Sequence, residues 1–399
     1  MKIGVFIPIG SRGWLISTTS PKTMPSYDLN RTVVQRAEFY GLDFALSMVK
    51  LRGYDGPSEY WVHNLESFTL MAGIAAVTRR IQLFASVAVL TMPPALVARM
   101  AMTIDSIAPG RFGVNIVTGW QPKEYQQMGL WPGEAHFERR YDYVSEYVQV
   151  MRELWTNGRS DFKGDFFQMD DCVLSPRPSG PIPIVGAGQS DRGMRFVAEY
   201  GDFNFVGAPG LNDTKGASSV ASRVRNAVAR TGRDVGALLL LMIIAAETDE
   251  AAFAKWERYK EGTDIVALQW QATQAGADSK AQDGSTASNL ARVIKDPQPT
   301  GILKLIGSYE SIARMLDEIA EIPDLKGVML TFDDFIVGVE QFGRAYPAAH
   351  EEPHESGRLI SRSRRTVAPQ PLNPGVSPGG GAATARRRPM LQPSRVAEA

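Results

Sequence analysis

The chain has 399 residues, of which 44% are hydrophobic and 22% are charged, enough to bury the core of one large domain or of two ordinary ones. Its 43 basic and 43 acidic residues balance, so no overall charge directs the protein to nucleic acid or to an anionic membrane surface. The single cysteine, Cys172, excludes an internal disulfide framework and a cysteine-rich metal site.

The N-terminus has a strand pattern from its second residue and lacks the apolar stretch and small-residue cleavage site of a signal peptide. The longest apolar run, residues 237–246, is shorter than the roughly 18–20 residues that span a bilayer. With one cysteine and neither of these targeting features, we expect a soluble protein of the cytoplasm.

Segments with the patterns of strands and helices alternate along the chain. Short apolar segments predict strands at residues 2–9, 44–50, 81–90, 111–119, 183–186, 203–206, 238–245 and 327–332. Apolar spacing and capping residues predict helices at residues 28–41, 64–78, 94–110, 137–155, 190–200, 216–231 and 250–260, and a last helix ending near 346. Asp28 and Asn64 are the expected N-caps of the first two helices.

This alternation is typical of a parallel α/β fold. Its eight repeats favour a (β/α)₈ TIM barrel over an open doubly wound sheet, and we expect residues 1–346 to form that barrel as one domain. Two insertions interrupt the repeat: residues 161–173 indicate an extra hairpin, and residues 262–300 are polar and turn-prone. The second is either a mobile lid or a surface insertion without a role. Residues 347–399, rich in arginine, proline and glycine, are expected to be a disordered tail.

Polar residues at the carboxyl ends of the strands are candidate site residues, because active sites of such barrels lie there. Asn115 alternates with outward-facing apolar residues and should point inward, either as a structural amide between strands or as a ligand contact. Ser86, inside the third strand, either faces a cofactor or bonds a neighbouring backbone group. Lys50, at the end of the second strand, either reaches into the site or is a solvated loop charge.

Two further candidates lie on helices. The glycine-rich turn at 186–189 precedes Ser190, which can cap the next helix, and the free N–H groups of such a helix start suit a phosphate. The same pattern also begins many helices that bind nothing. Tyr141 falls on the apolar face of the helix at 137–155, where core packing is the alternative to ligand binding.

Several common site motifs are missing from the sequence. The four histidines, at positions 63, 136, 350 and 354, do not have the spacing of a metal site. There is no nucleophile elbow, no phosphate-binding loop ending in GKS or GKT, and no GxGxxG after a strand. The sequence therefore offers neither a recognisable NADH site nor an obvious catalytic base, as expected where a bound cofactor carries the chemistry.

Several long segments have the sequence of a known family. They are residues 1–10, 13–17, 43–48, 63–69, 117–121, 139–143, 161–167 and 330–335. On these segments the chain resembles the bacterial luciferase-like flavin monooxygenases, and most closely the members that degrade pyrimidines. The resemblance covers nearly all of residues 1–346.

The resemblance implies a barrel that binds reduced FMN. It places the FMN contacts on Val49, Lys50, Asn115, Glu124, Arg140, Tyr141 and Ser190. It also places Asn115 and Ser86 beside the flavin ring as the catalytic residues, although the family often has threonine at position 86. Val49, Glu124 and Arg140 are candidates through the resemblance alone.

The activity that the resemblance implies is opening of the uracil ring, and of the thymine ring, between N3 and C4 in pyrimidine nitrogen catabolism. A flavin peroxide formed from reduced FMN and O₂ would attack C4, giving ureidoacrylate peracid and then ureidoacrylate. A separate NADH-dependent flavin reductase would supply the reduced FMN. The resemblance gives no nucleic-acid or membrane partner and is compatible with a homo-oligomer.

Two alternatives stay open. One is another two-component luciferase-like monooxygenase, acting on an alkanesulfonate or on a heterocycle. The other is a flavin-binding protein without catalysis.

Overall fold

The computed structural model describes residues 1–349. Its strands are β1 (Lys2–Ile7), β2 (Phe44–Ser47), β3 (Gln82–Ala88), β4 (Phe112–Val117), β5 (Arg159–Ser160), β6 (Cys172–Val173), β7 (Ile184–Gly186), β8 (Phe203–Gly207), β9 (Gly236–Ala246), β10 (Lys304–Ser308) and β11 (Leu325–Phe332). Its helices are α1 (Tyr27–Phe39), α2 (Ser67–Val77), α3 (Pro94–Ile107), α4 (Pro122–Gln126), α5 (Ala135–Asn157), α6 (Asp191–Tyr200), α7 (Ser218–Val228), α8 (Asp249–Glu261), α9 (Ile265–Gly276), α10 (Thr286–Ala291), α11 (Tyr309–Ala320) and α12 (Phe335–Ala349).

Eight parallel strands close into a barrel. Their order is β1-β2-β3-β4-β7-β8-β9-β11, and β11 pairs with β1 to complete the circle. Each of them overlaps one of the segments predicted to be a strand, with ends that differ by up to a few residues, and helices cover the outer surface. The predicted (β/α)₈ barrel is therefore confirmed. The predicted hairpin is also present, as the antiparallel pair of β5 and β6 that flanks residues 161–171.

Large and small residues alternate across the inner face of the barrel near the amino ends of the strands. Gly4 lies beside Phe44, and Gly113 lies beside Phe84. A Cβ atom on either glycine would come within 2.4 Å of the neighbouring ring. The rings of Phe44 and Phe84 are 6.0 Å apart, and Phe203 follows at 6.3 Å from Phe84. Because these rings fill the amino-terminal end, open space in the barrel lies at the carboxyl end.

The long strand β9 carries two neighbours in succession on one edge. Its residues Gly236–Leu240 pair with β8, and its residues Met242–Ala246 pair with β10. β10 therefore lies beyond the carboxyl end of β8 and outside the barrel itself. The sequence patterns missed β10 and α11, and the polar segment 262–300 contains the helices α9 and α10.

Two expected helix N-caps are wrong. The cap of α1 is Ser26, whose side chain accepts a hydrogen bond from the N–H of Leu29, and Asp28 lies inside the first turn. The cap of α2 is Glu66, whose carboxylate accepts two backbone N–H groups. Asn64 lies three residues before the helix begins at Ser67, and its Nδ2 donates to the carbonyl of Trp61.

The last helix, α12, runs to residue 349, so the first three residues of the predicted tail end a helix. The rest of the predicted tail, residues 350–399, lies outside the described residues. Within residues 1–349, no helix combines the length and the apolar character that crossing a bilayer requires.

The side chain of Asn212, in the loop after β8, forms two hydrogen bonds with the backbone of β10. A substitution of Asn212 therefore tests whether these bonds stabilise the strand. Its side chain donates to the carbonyl of Ile306 at 2.8 Å and accepts from the N–H of Ile306 at 2.7 Å. We expect Asn212→Ala to lower the free energy of unfolding by about 2–3 kcal/mol, since it leaves both groups unpaired. Urea denaturation measures the change. Asn212→Asp keeps the acceptor and should lose less; equal stability of all three proteins would contradict this role.

Candidate active site

A cavity of about 890 Å³ occupies the carboxyl end of the barrel. Its walls come from the ends of the barrel strands, from α4 and α5, and from the insertion between β9 and β11. It contains all the residues predicted to form the site: Val49, Lys50, Ser86, Asn115, Glu124, Arg140, Tyr141 and Ser190. The structure thus brings together, around one space, residues that are up to 141 positions apart in the chain (190 − 49).

Asn115 and Ser86 form a buried hydrogen-bonded pair on neighbouring strands. The hydroxyl of Ser86 donates to the carbonyl of Ser47 at 2.5 Å, so towards Asn115 it can only accept, and it accepts from Nδ2 at 2.7 Å. This fixes the orientation of the Asn115 amide, with Nδ2 bonded to Ser86 and Oδ1 on the side of the amide away from Ser86. Oδ1 is buried and has no hydrogen-bond partner in residues 1–349. A buried acceptor without a partner calls for a donor from a bound molecule.

Lys50 is not a solvated loop charge. It is 6% exposed, and its Nζ lies 3.3 Å from Oε1 of Glu124. The same carboxylate oxygen accepts the backbone N–H of Leu51 at 2.7 Å, which ties α4 to the end of β2. Burial lowers the pKa of Lys50, and the charge of Glu124 opposes that shift. The ion pair therefore fixes the ammonium group of Lys50 in the cavity wall.

Aromatic rings surround this cation, and sequence reasoning missed them as site residues. Nζ of Lys50 lies 5.2 Å from the ring of Tyr54, 5.6 Å from that of Trp61 and 5.9 Å from that of Trp120. Rings at these distances stabilise an ammonium group and exclude water from it. The cluster of aromatic residues around position 60 in the sequence was the available signal.

A polar pair of glutamines was also missed. The amides of Gln121 and Gln271 both donate to the hydroxyl of Tyr54, each at 3.1 Å, and Oε1 of Gln121 is buried without a partner among the described residues. Burial raises the pKa of Tyr54, so this hydroxyl keeps its proton. Gln271 belongs to α9, and no local pattern in that insertion points to a site.

The turn between β7 and α6 brings two backbone segments into contact. A Cβ atom on Gly188 would lie 2.5 Å from Cα of Gly193, so both positions exclude a side chain. Ser190 caps α6, as predicted, by accepting from the N–H of Gly193 at 3.2 Å, and its hydroxyl lies 3.4 Å from the hydroxyl of Tyr141. We call these residues, Gly188, Ser190, Gly193 and Tyr141, the glycine cradle.

Arg140 lies beside the glycine cradle, one residue before Tyr141. It pairs with Asp278 of the insertion at 2.9 Å, and its Nε is buried with no partner in the part of the chain that the structure describes. An arginine with a free buried N–H next to a helix N-terminus is suited to an anion. Residues 1–349 contain no group of three histidine, cysteine or acidic residues that could hold a metal ion.

Comparison with known proteins was made on the sequence and on the fold. Residues 1–324 match the family model described as luciferase-like monooxygenase. The chain is 75% identical over 345 residues to "Pyrimidine monooxygenase RutA" of Allorhizobium ampelinum, covering 86% of this chain and 94% of that protein. Proteins of the same name from Enterobacter cloacae subsp. cloacae and Escherichia coli O127:H6 are 59% and 58% identical over 346 residues, covering 86% of this chain and 94% of each.

Similar solved structures share the barrel at low sequence identity. Riboflavin lyase RcaE, solved with modified FMN and riboflavin, has a TM-score of 0.75 at 19% identity and covers 87% of this chain and 90% of its own. Long-chain alkane monooxygenase LadA has a TM-score of 0.71 at 17% identity, covering 87% and 91%. EDTA monooxygenase EmoA from Chelativorans sp. BNC1 has a TM-score of 0.71 at 16% identity, covering 88% and 95%. These likenesses show the fold alone.

The buried pair of Lys50 and Glu124 gives a stability prediction. Glu124→Gln keeps an acceptor for the N–H of Leu51 but leaves the ammonium of Lys50 without its counter-charge. We expect a loss of about 3 kcal/mol in the free energy of unfolding, measured by urea denaturation, because an unpaired buried charge is costly.

The control is Glu257→Gln, since Glu257 forms an exposed pair with Lys260. Exposed pairs contribute about 0–1 kcal/mol, so this variant should stay close to the parent protein. Equal losses in both variants would show that the buried pair has no special role in stability.

Proposed function

The chain belongs to the luciferase-like monooxygenase family, and from that premise we propose that it is a flavin-dependent pyrimidine monooxygenase. It opens the ring of uracil, and of thymine, between N3 and C4, and the end product from uracil is ureidoacrylate. The observation that carries the proposal is 75% identity to a pyrimidine monooxygenase along 94% of that protein's length. Residues 1–346 are the proposed catalytic domain.

The cavity is suited to FMN at the end where a phosphate would lie. The contact between Gly188 and Gly193 fixes the turn that leads into α6, and α6 directs its free N–H groups to this end of the cavity. The unpartnered Nε of Arg140 and the hydroxyl of Tyr141 are further donors there. We therefore propose that Arg140, Tyr141 and Ser190 hold the phosphate of FMN. The cavity volume of about 890 Å³ lies within the roughly 300–1,000 Å³ typical of small-molecule sites.

The opposite part of the cavity is suited to the flavin ring and the pyrimidine. Val49, Lys50, Asn115 and Glu124 line it, and the aromatic rings around Lys50 give it flat apolar walls. Reduced FMN, when bound, supplies the electrons and activates the O₂ for insertion into the pyrimidine.

The residues of this chain orient the reactants and stabilise charge. Oδ1 of Asn115 accepts a hydrogen bond from an N–H of a bound ring, and we propose Asn115 as a catalytic residue for that reason. Ser86 positions it by holding its Nδ2, which leaves Oδ1 as the unpaired end of the amide among residues 1–349. Lys50 is a buried donor for an oxygen that gains negative charge, and Glu124 holds it in place. The aromatic walls keep water away, which strengthens both interactions.

The reductant is proposed to come from another protein. No nicotinamide-binding fingerprint accompanies the barrel, so a separate NADH-dependent flavin reductase would deliver reduced FMN. The substrate is a small pyrimidine.

The proposal predicts uracil consumption. The chain, mixed with FMN, NADH, O₂ and a flavin reductase, should convert uracil to a ring-opened ureido product, followed by liquid chromatography and mass spectrometry. Replacing uracil by an alkanesulfonate should give no consumption. Consumption of the sulfonate, or flavin binding with no oxygen-dependent loss of either compound, would replace the proposal by one of its two alternatives.

Asn115→Ala is the matched catalytic variant for that assay. It removes the buried acceptor while keeping the strand, so turnover should fall by about 10²-fold with unchanged circular dichroism. Unchanged turnover would reject Asn115 as a catalytic residue.

The glycine cradle gives a prediction about flavin binding. Gly188→Ala places a methyl group against backbone atoms of Gly193 that have no room to move, so FMN affinity should fall by about tenfold or more. Fluorescence quenching of FMN measures the affinity. Gly276→Ala, where an added Cβ meets nothing within 4 Å, is the control and should bind FMN like the parent chain. Equal FMN affinity of the two variants would show that the phosphate of FMN does not bind at this turn.

A further inference from the structure

The cavity extends beyond the proposed flavin and pyrimidine positions into a second region beside β10. This region is lined by Leu211, Trp256, Lys260, Asp296 and Lys304, and we call it the outer lobe. It belongs to the same cavity as the space around Asn115. Nothing in the proposed reaction uses it.

Lys304, the first residue of β10, is a buried cation in this lobe. It is 6% exposed, and its Nζ lies 5.1 Å from the centre of the Trp256 ring. Its backbone bonds to Gly210 and Asn212, but its ammonium group has neither a hydrogen bond nor an ion pair with any of residues 1–349. Burial lowers the pKa of Lys304, and the charge of Asp296 opposes that shift.

The other basic residues that line the cavity all have carboxylate partners. Lys50 pairs with Glu124, Arg140 with Asp278, Lys260 with Glu257 and Arg292 with Asp283. Within the described residues, Lys304 is the exception. Asp296 is exposed to water and more than 4 Å from its ammonium, so its charge acts on Lys304 only from a distance. A lysine that lines a cavity with no carboxylate bound to its ammonium group is suited to a negatively charged ligand.

We propose that Lys304 binds the carboxylate of the ring-opened product in the outer lobe. This inference rests on the proposed function, because uracil is neutral whereas opening its ring at C4 creates a carboxyl group. The negative charge appears only after the reaction, so the lobe distinguishes product from substrate. It gives the product a place away from the reacting atoms, next to a cation that the substrate does not need.

The test compares a carboxylate with its neutral amide. Isothermal titration calorimetry with ureidoacrylate and with ureidoacrylamide should show that the FMN-loaded chain binds the carboxylate about tenfold or more tightly. Lys304→Met, which keeps the length of the side chain and its packing on Trp256, should abolish that preference. Lys304→Arg keeps the charge and should retain it. Lys260→Met removes a paired charge from the same lobe and should also retain it.

Two further measurements separate this role from others. The KM for uracil should change by less than about twofold in Lys304→Met, and its Tm should stay within about 2 °C of that of the parent chain because no ion pair is lost. A preference for the carboxylate that survives in Lys304→Met, or no binding of ureidoacrylate by the parent chain, overturns the inference. A tenfold loss of FMN affinity in Lys304→Met also overturns it, since the lysine would then belong to the cofactor.

Failure of the proposed function would look different. In that case the parent chain would not consume uracil. Calorimetry would still show whether the chain binds a carboxylate more tightly than its amide and whether that preference depends on Lys304.

Discussion

The packing of phenylalanine rings over glycines on the inner face decides which end of the barrel is filled. The rings of Phe44 and Phe84 occupy the space beside Gly4 and Gly113, where a Cβ atom would come within 2.4 Å of the ring. The rings fill the amino-terminal end and leave the carboxyl end open. The location of the cavity, and therefore of every proposed site residue, follows from this packing.

Counting hydrogen-bond donors and acceptors shows which polar groups of the cavity have partners and which do not. The hydroxyl of Ser86 donates a hydrogen bond to the carbonyl of Ser47, so it accepts from Nδ2 of Asn115 and leaves Oδ1 without a partner among residues 1–349. Arg140 uses one of its nitrogens on Asp278 and keeps another free. Lys304 lies over the ring of Trp256, and its ammonium has no hydrogen bond or ion pair with residues 1–349. The residues Asn115, Arg140 and Lys304 line one cavity, where a ligand can supply the missing polar contacts.

Much of the fold was predictable because its signals are local. Buried parallel strands such as β9 are continuous apolar runs, and α5 has an apolar face with the helical period, so both could be located from the sequence. β10 could not, because its five residues begin with a buried lysine and end with a serine that caps α11. Asn64 misled for a different reason: the helix begins three residues later, at Ser67, and the carboxylate of Glu66 caps it.

The residues of the candidate site also divide into those that could be predicted from the sequence and those that could not. Asn115 and Ser190 could be found from their places at strand and helix ends, and Glu124 and Arg140 required the family resemblance. Gln271 and Lys304 were not found by either route, because they enter the cavity from the insertion and from a strand outside the barrel. Their positions depend on how distant segments of the chain pack together, and no spacing of residues in the sequence indicates that packing.

The backbone contact between Gly188 and Gly193 also restricts how this protein can diverge. A side chain at either position meets main-chain atoms of the other, so neither can change first and a paired change would only add to the crowding. On the facing walls, Lys50, Tyr54 and Gln271 are held by side-chain partners, so replacing one of them calls for a compensating change in another side chain. One end of the cavity is thus fixed by main-chain packing and the other by paired side chains.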